Sequence, residues 1–201
     1  MRYAATLITA AAFSVALSVP VLAQQPQAMR VAGKVTGTDG GVVAVKGAKG
    51  EELKIHVPAN LAVITVSKGT MADVKPNSFV GVGATPQADG SQKAIRVVVF
   101  AESQRGTGEG HRPWDRPGTT MTNATVDTTV SSVDGQVIHV KYRGGEQKII
   151  IGPDATILVN APGDKSEVKP GANVAFPAVT KKPDGTLEAT RVNVGRGDVT
   201  P

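Results

Sequence analysis

Small and apolar residues alternate with polar ones from Val31 to Thr38, and Asp39-Gly40 then offers a tight turn into Val42–Lys46. After Gly50, the aliphatics Leu53, Ile55 and Val57 alternate with Lys54 and His56. A period of two puts one face of a strand inward and the other outward, so three strands are predicted here. Thr70-Met-Ala-Asp73 has an oxygen acceptor followed three residues later by an acid, which predicts a short capped helical turn. Lys75-Pro76-Asn77 fits a type II turn, in which Pro presets φ and Asn accepts the positive φ that follows. A fourth strand is expected around Val80 and Val82. Asp89-Gly90 opens a last hairpin, in which Ile95, Val97 and Val99 are expected on one face and Arg96 on the other.

The same order then recurs 95 residues later. Val31 and Val35 match Val126 and Val130. Asp39-Gly40 matches Asp134-Gly135, Val45 matches Val140, and Ile55 matches Ile150. One residue is lost after Pro58 and Pro153. Val74-Lys75-Pro76 then matches Val168-Lys169-Pro170, and Asp164-Lys-Ser-Glu167 repeats the capping pattern. Val80 and Val82 correspond to Val174 and Phe176, and Asp89-Gly90 to Asp184-Gly185. Ala94, Arg96 and Val97 correspond to Ala189, Arg191 and Val192. So many turn and core matches in one order indicate a duplication. The run Ile149-Ile150-Ile151 predicts a third strand covered on both faces in the second copy.

Each copy therefore reads as three strands, a short helical turn and two strands, the order of a small OB-like barrel. The expected fold is all-β, with two tandem OB-like five-stranded β-barrels and a short helical turn between strands 3 and 4 of each. The expected boundaries are a signal peptide at residues 1–23, a first barrel at 29–101, a Gly/Pro-rich linker at 102–123 and a second barrel at 124–197. Because the linker is long, two independent barrels are preferred over one fused sheet, and each half is expected to fold alone.

The linker holds the one tryptophan of the chain, Trp114, between Pro113 and Pro117. A large apolar ring gains nothing in water, so this segment is expected to fold back. Trp114 would then wedge against the barrels, with Arg112, Asp115 and Arg116 at the rim.

At the start of the sequence, Arg2 precedes an apolar run ending in Val21-Leu22-Ala23. This is the pattern of a Sec-type signal peptide cleaved after Ala23, and it places the mature chain in the periplasm or outside the cell. No later stretch is apolar enough for a membrane span. The signal carries one arginine and no acid, so its removal lowers the net charge from +5 to +4. With no cysteine, the cores must hold by packing alone.

The Asp-Gly, Lys-Pro-Gly and Asp-Gly-x-x-x-Ala-x-x-Val pattern resembles a bacterial exported domain family of unknown function with OB-like barrels. The middle run Arg105-Gly-Thr-Gly-Glu-Gly, Pro113-Trp114-Asp115, Pro117-Gly118 and Met121-Thr-Asn-Ala-Thr125 resembles a narrower group of exported two-barrel proteins. Members of that group are often labelled metal ABC transporter permease. A permease needs several spans, which the mature sequence does not offer. The resemblance implies no activity and no functional residue.

Candidate chemistry is sparse. Glu109, His111 and Asp115 could gather one nitrogen and two carboxylates around a metal, but a polar turn is the preferred reading of that spacing. His56 and His139 are expected on the surface. No cysteine or Gly-x-Ser-x-Gly elbow supplies a nucleophile, and Gly106-x-Gly108-x-Gly110 lacks the Gly-Lys-Ser/Thr of a phosphate loop. Nucleic-acid binding would need aromatic platforms in a basic groove, and the strands supply only Tyr142; Phe79, Phe100 and Phe176 are assigned to the core. The expectation is a non-enzymatic binding or structural module without a cofactor. Its partner would be an unidentified envelope protein or ligand rather than nucleic acid. The alternatives are a metal-handling accessory protein, or a barrel pair binding oligosaccharide or nucleic acid.

Overall fold

A computed structural model describes residues 28–132 and 135–201, without the side chains of residues 131 and 132. The predicted signal segment and Asp134 of the predicted turn lie outside the described residues. The fold is all-β. The first copy supplies β1 (Met29–Asp39), β2 (Val42–Gly47), β3 (Glu52–His56), β4 (Ala62–Lys68), β5 (Phe79–Pro86) and β6 (Gln92–Val99). The middle segment adds β7 (Gly110–Pro113). The second copy supplies β8 (Thr120–Ser132), β9 (Gly135–Tyr142), β10 (Gly145–Ile151), β11 (Thr156–Pro162), β12 (Asn173–Lys181), β13 (Leu187–Glu188) and β14 (Arg191–Gly195).

Local signals are realised as turns and caps. Gly40 and Gly41 form the two-residue loop of the first hairpin, at φ 52° and 88°, values that cost glycine nothing. Asn77 sits at φ 67° and Gly171 at φ 90°, as the Lys-Pro turns require. Both capped turns form, as the 3-10 segments Met71–Asp73 and Lys165–Glu167. The Thr70 amide donates to the Asp73 carboxylate at 2.8 Å, and the Ser166 amide to Asp164 at 2.8 Å.

Strand pairing does not respect the two sequence copies. A closed five-stranded barrel is built from β5, β8, β9, β10 and β6, with β6 pairing back to β5. Three of its strands come from the second copy and two from the first. A second circuit of pairings links β1, β2, β3, β13 and β12, with β12 returning to β1. Here the first copy gives three strands and the second gives two. The copies have exchanged their last strands. The expectation that each copy pairs within itself is therefore corrected by the ladders.

The strands that carry the chain across are β4 and β11, which the sequence reading did not anticipate. Seven extended residues span roughly 23 Å, enough to leave one ring and reach the next. The two crossing strands pair antiparallel with each other, Thr65 opposite Ala161 and Val66 opposite Asn160. They also run parallel to β14 and β6, respectively. All strands thus join in one continuous sheet with a pseudo-twofold arrangement about the β4–β11 pair.

Each core mixes both copies. Val35, Val45 and Ile55 pack with Val174, Phe176 and Val192 in one ring. Val80, Val82 and Val97 pack with Val126, Ile138, Val140 and Ile149 in the other. The 3-10 turns follow the exchange: Val74 and Met71 join the second of these clusters, and Val168 the first.

Three details of the repeat are corrected by the geometry. The lost residue lies in the turn between the second and third strands, not after Pro58. Lys46 pairs Glu52, whereas Lys141 pairs Glu146 across a loop one residue shorter. The buried residues of β10 are consequently Ile149 and Ile151, and Ile150 is half-buried on the outer face. In β6 a bulge shifts the pairing from Gly83↔Arg96 to Ala84↔Ala94. Ile95 is the extra residue, so Ala94 faces the core and Ile95 faces out, half-buried. Val35 is buried, but its match Val130 is 56% exposed.

Candidate functional site in the seam between the rings

The middle segment is not a free tether. Residues 102–104 form a 3-10 turn whose Arg105 pairs with Glu102 and donates to the Asn77 carbonyl at 2.8 Å. Then β7 pairs with the start of β8, His111 opposite Thr122 and Pro113 opposite Thr120. The loop between them closes with the Trp114 amide donating to the Thr119 carbonyl at 3.0 Å.

This hairpin lies over the outer face of β5, where glycines leave room for rings. The Trp114 indole packs on Gly83, where a Cβ would clash with three atoms of the ring. At Gly81 a Cβ would sit 2.8 Å from the Phe100 ring. Trp114 is half-buried, and so is Phe100, which lines the outer face rather than the core expected for it. Phe79 and Phe176 are core residues, 2% and 0% exposed.

Beside these rings a cleft of about 410 Å³ runs along the seam, floored by Val66, Val98 and Leu158 of the crossing region. A second lobe of about 390 Å³ continues it, sharing Arg30, Arg96, Trp114, Asp115 and Pro201. Arg112 lines the first lobe and Arg116 the second. Four arginines therefore face one acid, Asp115. Among the described residues none of these arginines forms an ion pair. Arg30 donates to the main-chain oxygen of Pro201 at 2.7 Å and Arg112 to the Gly108 carbonyl at 2.8 Å. Burial lowers the pKa of the Arg96 guanidinium, and the positive charges of Arg30 and Arg116 lower it further. Uncompensated positive charge in a partly desolvated cleft attracts anions.

The cleft also gathers unmet acceptors. Among the described residues, four buried side-chain polar atoms have no hydrogen-bond partner in the protein. Three are carboxamide oxygens of cleft-lining residues: Asn123, Asn160 and Asn193. The fourth, on Thr129, lies elsewhere. For two of the asparagines the other end of the amide is engaged. Asn123 Nδ2 donates to the Thr107 carbonyl at 2.9 Å, and Asn160 Nδ2 to Gln104 Oε1 at 3.0 Å. An unsatisfied buried oxygen costs about 1–3 kcal/mol and calls for a donor, either a held water or a ligand hydroxyl.

The duplication shows how local this polarity is. Asn160 occupies the position of Val66 in the first copy, the residue it pairs with across the pseudo-axis. Asn193 occupies the position of Val98 at the repeat spacing of 95. Where one copy keeps valine, the other places an amide, and both contributions meet in the cleft.

The residues proposed for a metal go to separate partners. Glu109 accepts the Arg143 amide at 2.8 Å. His111 Nδ1 lies 2.8 Å from Thr122 Oγ1, and its ring stacks on Tyr142 at 6.4 Å. Asp115 lines the cleft. Among the described residues no three His, Cys, Asp or Glu side chains gather around a common point. His56 and His139 are exposed. Arg30, Arg96 and the three asparagines were not singled out from the sequence. The available signal was the replacement of Val66 and Val98 by asparagine in an otherwise parallel repeat.

A slightly larger cavity, about 420 Å³, opens at the end of the ring that holds β1 and β2, beneath residues 165–169. It presents Lys165 and Lys169 but no aromatic ring and no unpartnered buried atom.

No family model, curated protein or solved structure matches the chain. No helix among the described residues is long and apolar enough to cross a membrane.

Proposed function

We propose that this is an exported, non-enzymatic binding module of two OB-like barrels, and that its ligand seat is the seam cleft. One observation carries the reading: four arginines without Asp or Glu side-chain partners converge with a half-buried tryptophan and three asparagines whose buried oxygens lack donors. Such groups hold an anion, a ring face and hydroxyls. Guanidinium groups and carboxamides bind without reacting, and the lone carboxylate Asp115 has no second acid beside it for acid–base work. The strand exchange supports the assignment, because it places the cleft on paired strands of both copies and so on a rigid base. The metal-accessory reading is less favoured, since Glu109 accepts from Arg143, His111 meets Thr122 and Asp115 lines the cleft.

Native mass spectrometry of the mature protein after exposure to an envelope extract tests this. A small molecule retained by the wild type and absent from Arg96→Glu is the expected result. A ligand retained equally by both would place the site elsewhere.

A further inference from the structure

We propose that the cleft takes an acidic oligosaccharide, a chain of sugars bearing carboxylates; this rests on the cleft being the ligand seat. Three requirements select that chemistry. The arginines need an anion, and a guanidinium binds a carboxylate through two parallel N–H donors. The oxygens of Asn123, Asn160 and Asn193 lie closed beneath the lining and need donors; a sugar hydroxyl supplies one through a small shift of the amide or a held water, whereas a carboxylate or phosphate alone has none to give. Trp114 lines both lobes with apolar ring surface, against which the C–H face of a pyranose packs.

Shape adds a fourth argument. The two lobes share Arg30, Arg96, Trp114, Asp115 and Pro201, so they adjoin around the tryptophan. Two successive sugars of a chain place one unit in each lobe and a carboxylate beside the shared Arg30 and Arg96. A nucleic-acid strand suits the cleft less well. It stacks successive bases on successive aromatic platforms, whereas Trp114 and Phe100 line the first lobe and the second lobe adds no ring of its own.

The single tryptophan reports on the test. Trp114 emission is followed while the mature protein is titrated with tri-galacturonate, with its neutral methyl ester, with inorganic phosphate and with an oligothymidylate. The expected result is a saturable change with tri-galacturonate. Affinity should fall at least tenfold for the methyl ester and at least tenfold in Arg96→Gln. Arg116→Gln, at an exposed position, gives the same readout should Arg96→Gln fail to fold. Equal affinity for the ester, or saturation by phosphate or oligothymidylate instead, overturns the saccharide assignment and leaves the cleft as a site. No response to any probe, by emission or by calorimetry, also overturns it; the extract experiment above then decides separately whether the cleft binds at all.

Discussion

Cutting the chain between its two sequence copies should destroy folding in both pieces, and mixing the pieces should restore it. The perturbation is to express residues 28–106 and 107–201 separately. The second piece keeps β8, β9 and β10 but loses β5 and β6, which close its barrel. Val126, Ile138, Val140, Ile149 and Ile151 then lose the cover of Val80, Val82, Val97 and Val99. Fully burying each large aliphatic is worth about 1.5–3 kcal/mol. Uncovering even half of that burial costs about 4–8 kcal/mol in this ring, and the other ring loses its partners in the same way. A domain's whole stability is about 5–15 kcal/mol, so neither piece should hold. Circular dichroism and thermal melts provide the assay. Each piece alone should show no cooperative transition, and the equimolar mixture should regain one, with Trp114 emission returning to that of the intact chain. A cooperative melt from either piece alone would refute the exchanged pairing.

Two further outcomes follow from particular side chains. Asn193→Val puts the first copy's residue at the position whose carboxamide oxygen is unmet, and it should raise stability by about 1–2 kcal/mol, or about 2–8 °C in Tm, while weakening ligand binding; an unchanged or lower Tm would contradict the role given to that oxygen. Asp184, at the last hairpin, accepts the Thr186 amide at 2.9 Å, and the hydrogen bonds from Thr186 hold its carboxyl below its ordinary value. A depressed folded-state pKa gives stability that is present above about pH 4 and lost as pH falls through the folded value. Asp184→Ala should therefore melt below the wild type at pH 7 and converge with it near pH 2, as read by melts across that range.

Much of the local structure was legible because it is encoded locally. The capping acids Asp73 and Glu167, the positive φ at Asn77 and Gly171, and the hairpins at Asp89-Gly90 and Asp184-Gly185 each depend on residues a few positions apart. Partner choice depends on something else. The two copies carry nearly the same inward pattern, so β3 could accept a last strand from either copy by pattern alone. What directs the exchange is the extended run Val63-Ile-Thr-Val66, which carries the chain out of its own ring, and its counterpart Ile157-Leu-Val159. The bulge at Ile95 was hidden for a related reason: strict alternation assumes an unbroken ladder. The cleft was illegible because Arg30, Arg96, Asn160 and Asn193 come from four strands that only the exchange brings together.

Charge-selective quenching of Trp114 tests the account most directly, since the central claim is that an uncompensated positive cleft surrounds this ring. Iodide and caesium are compared at matched ionic strength, kept low because the screening length falls to about 10 Å at 0.1 M salt. The native protein should be quenched more strongly by iodide than by caesium, and the difference should shrink when Arg30 and Arg96 are both changed to Gln. Equal quenching by the two ions in the native protein, or stronger quenching by caesium, would contradict it.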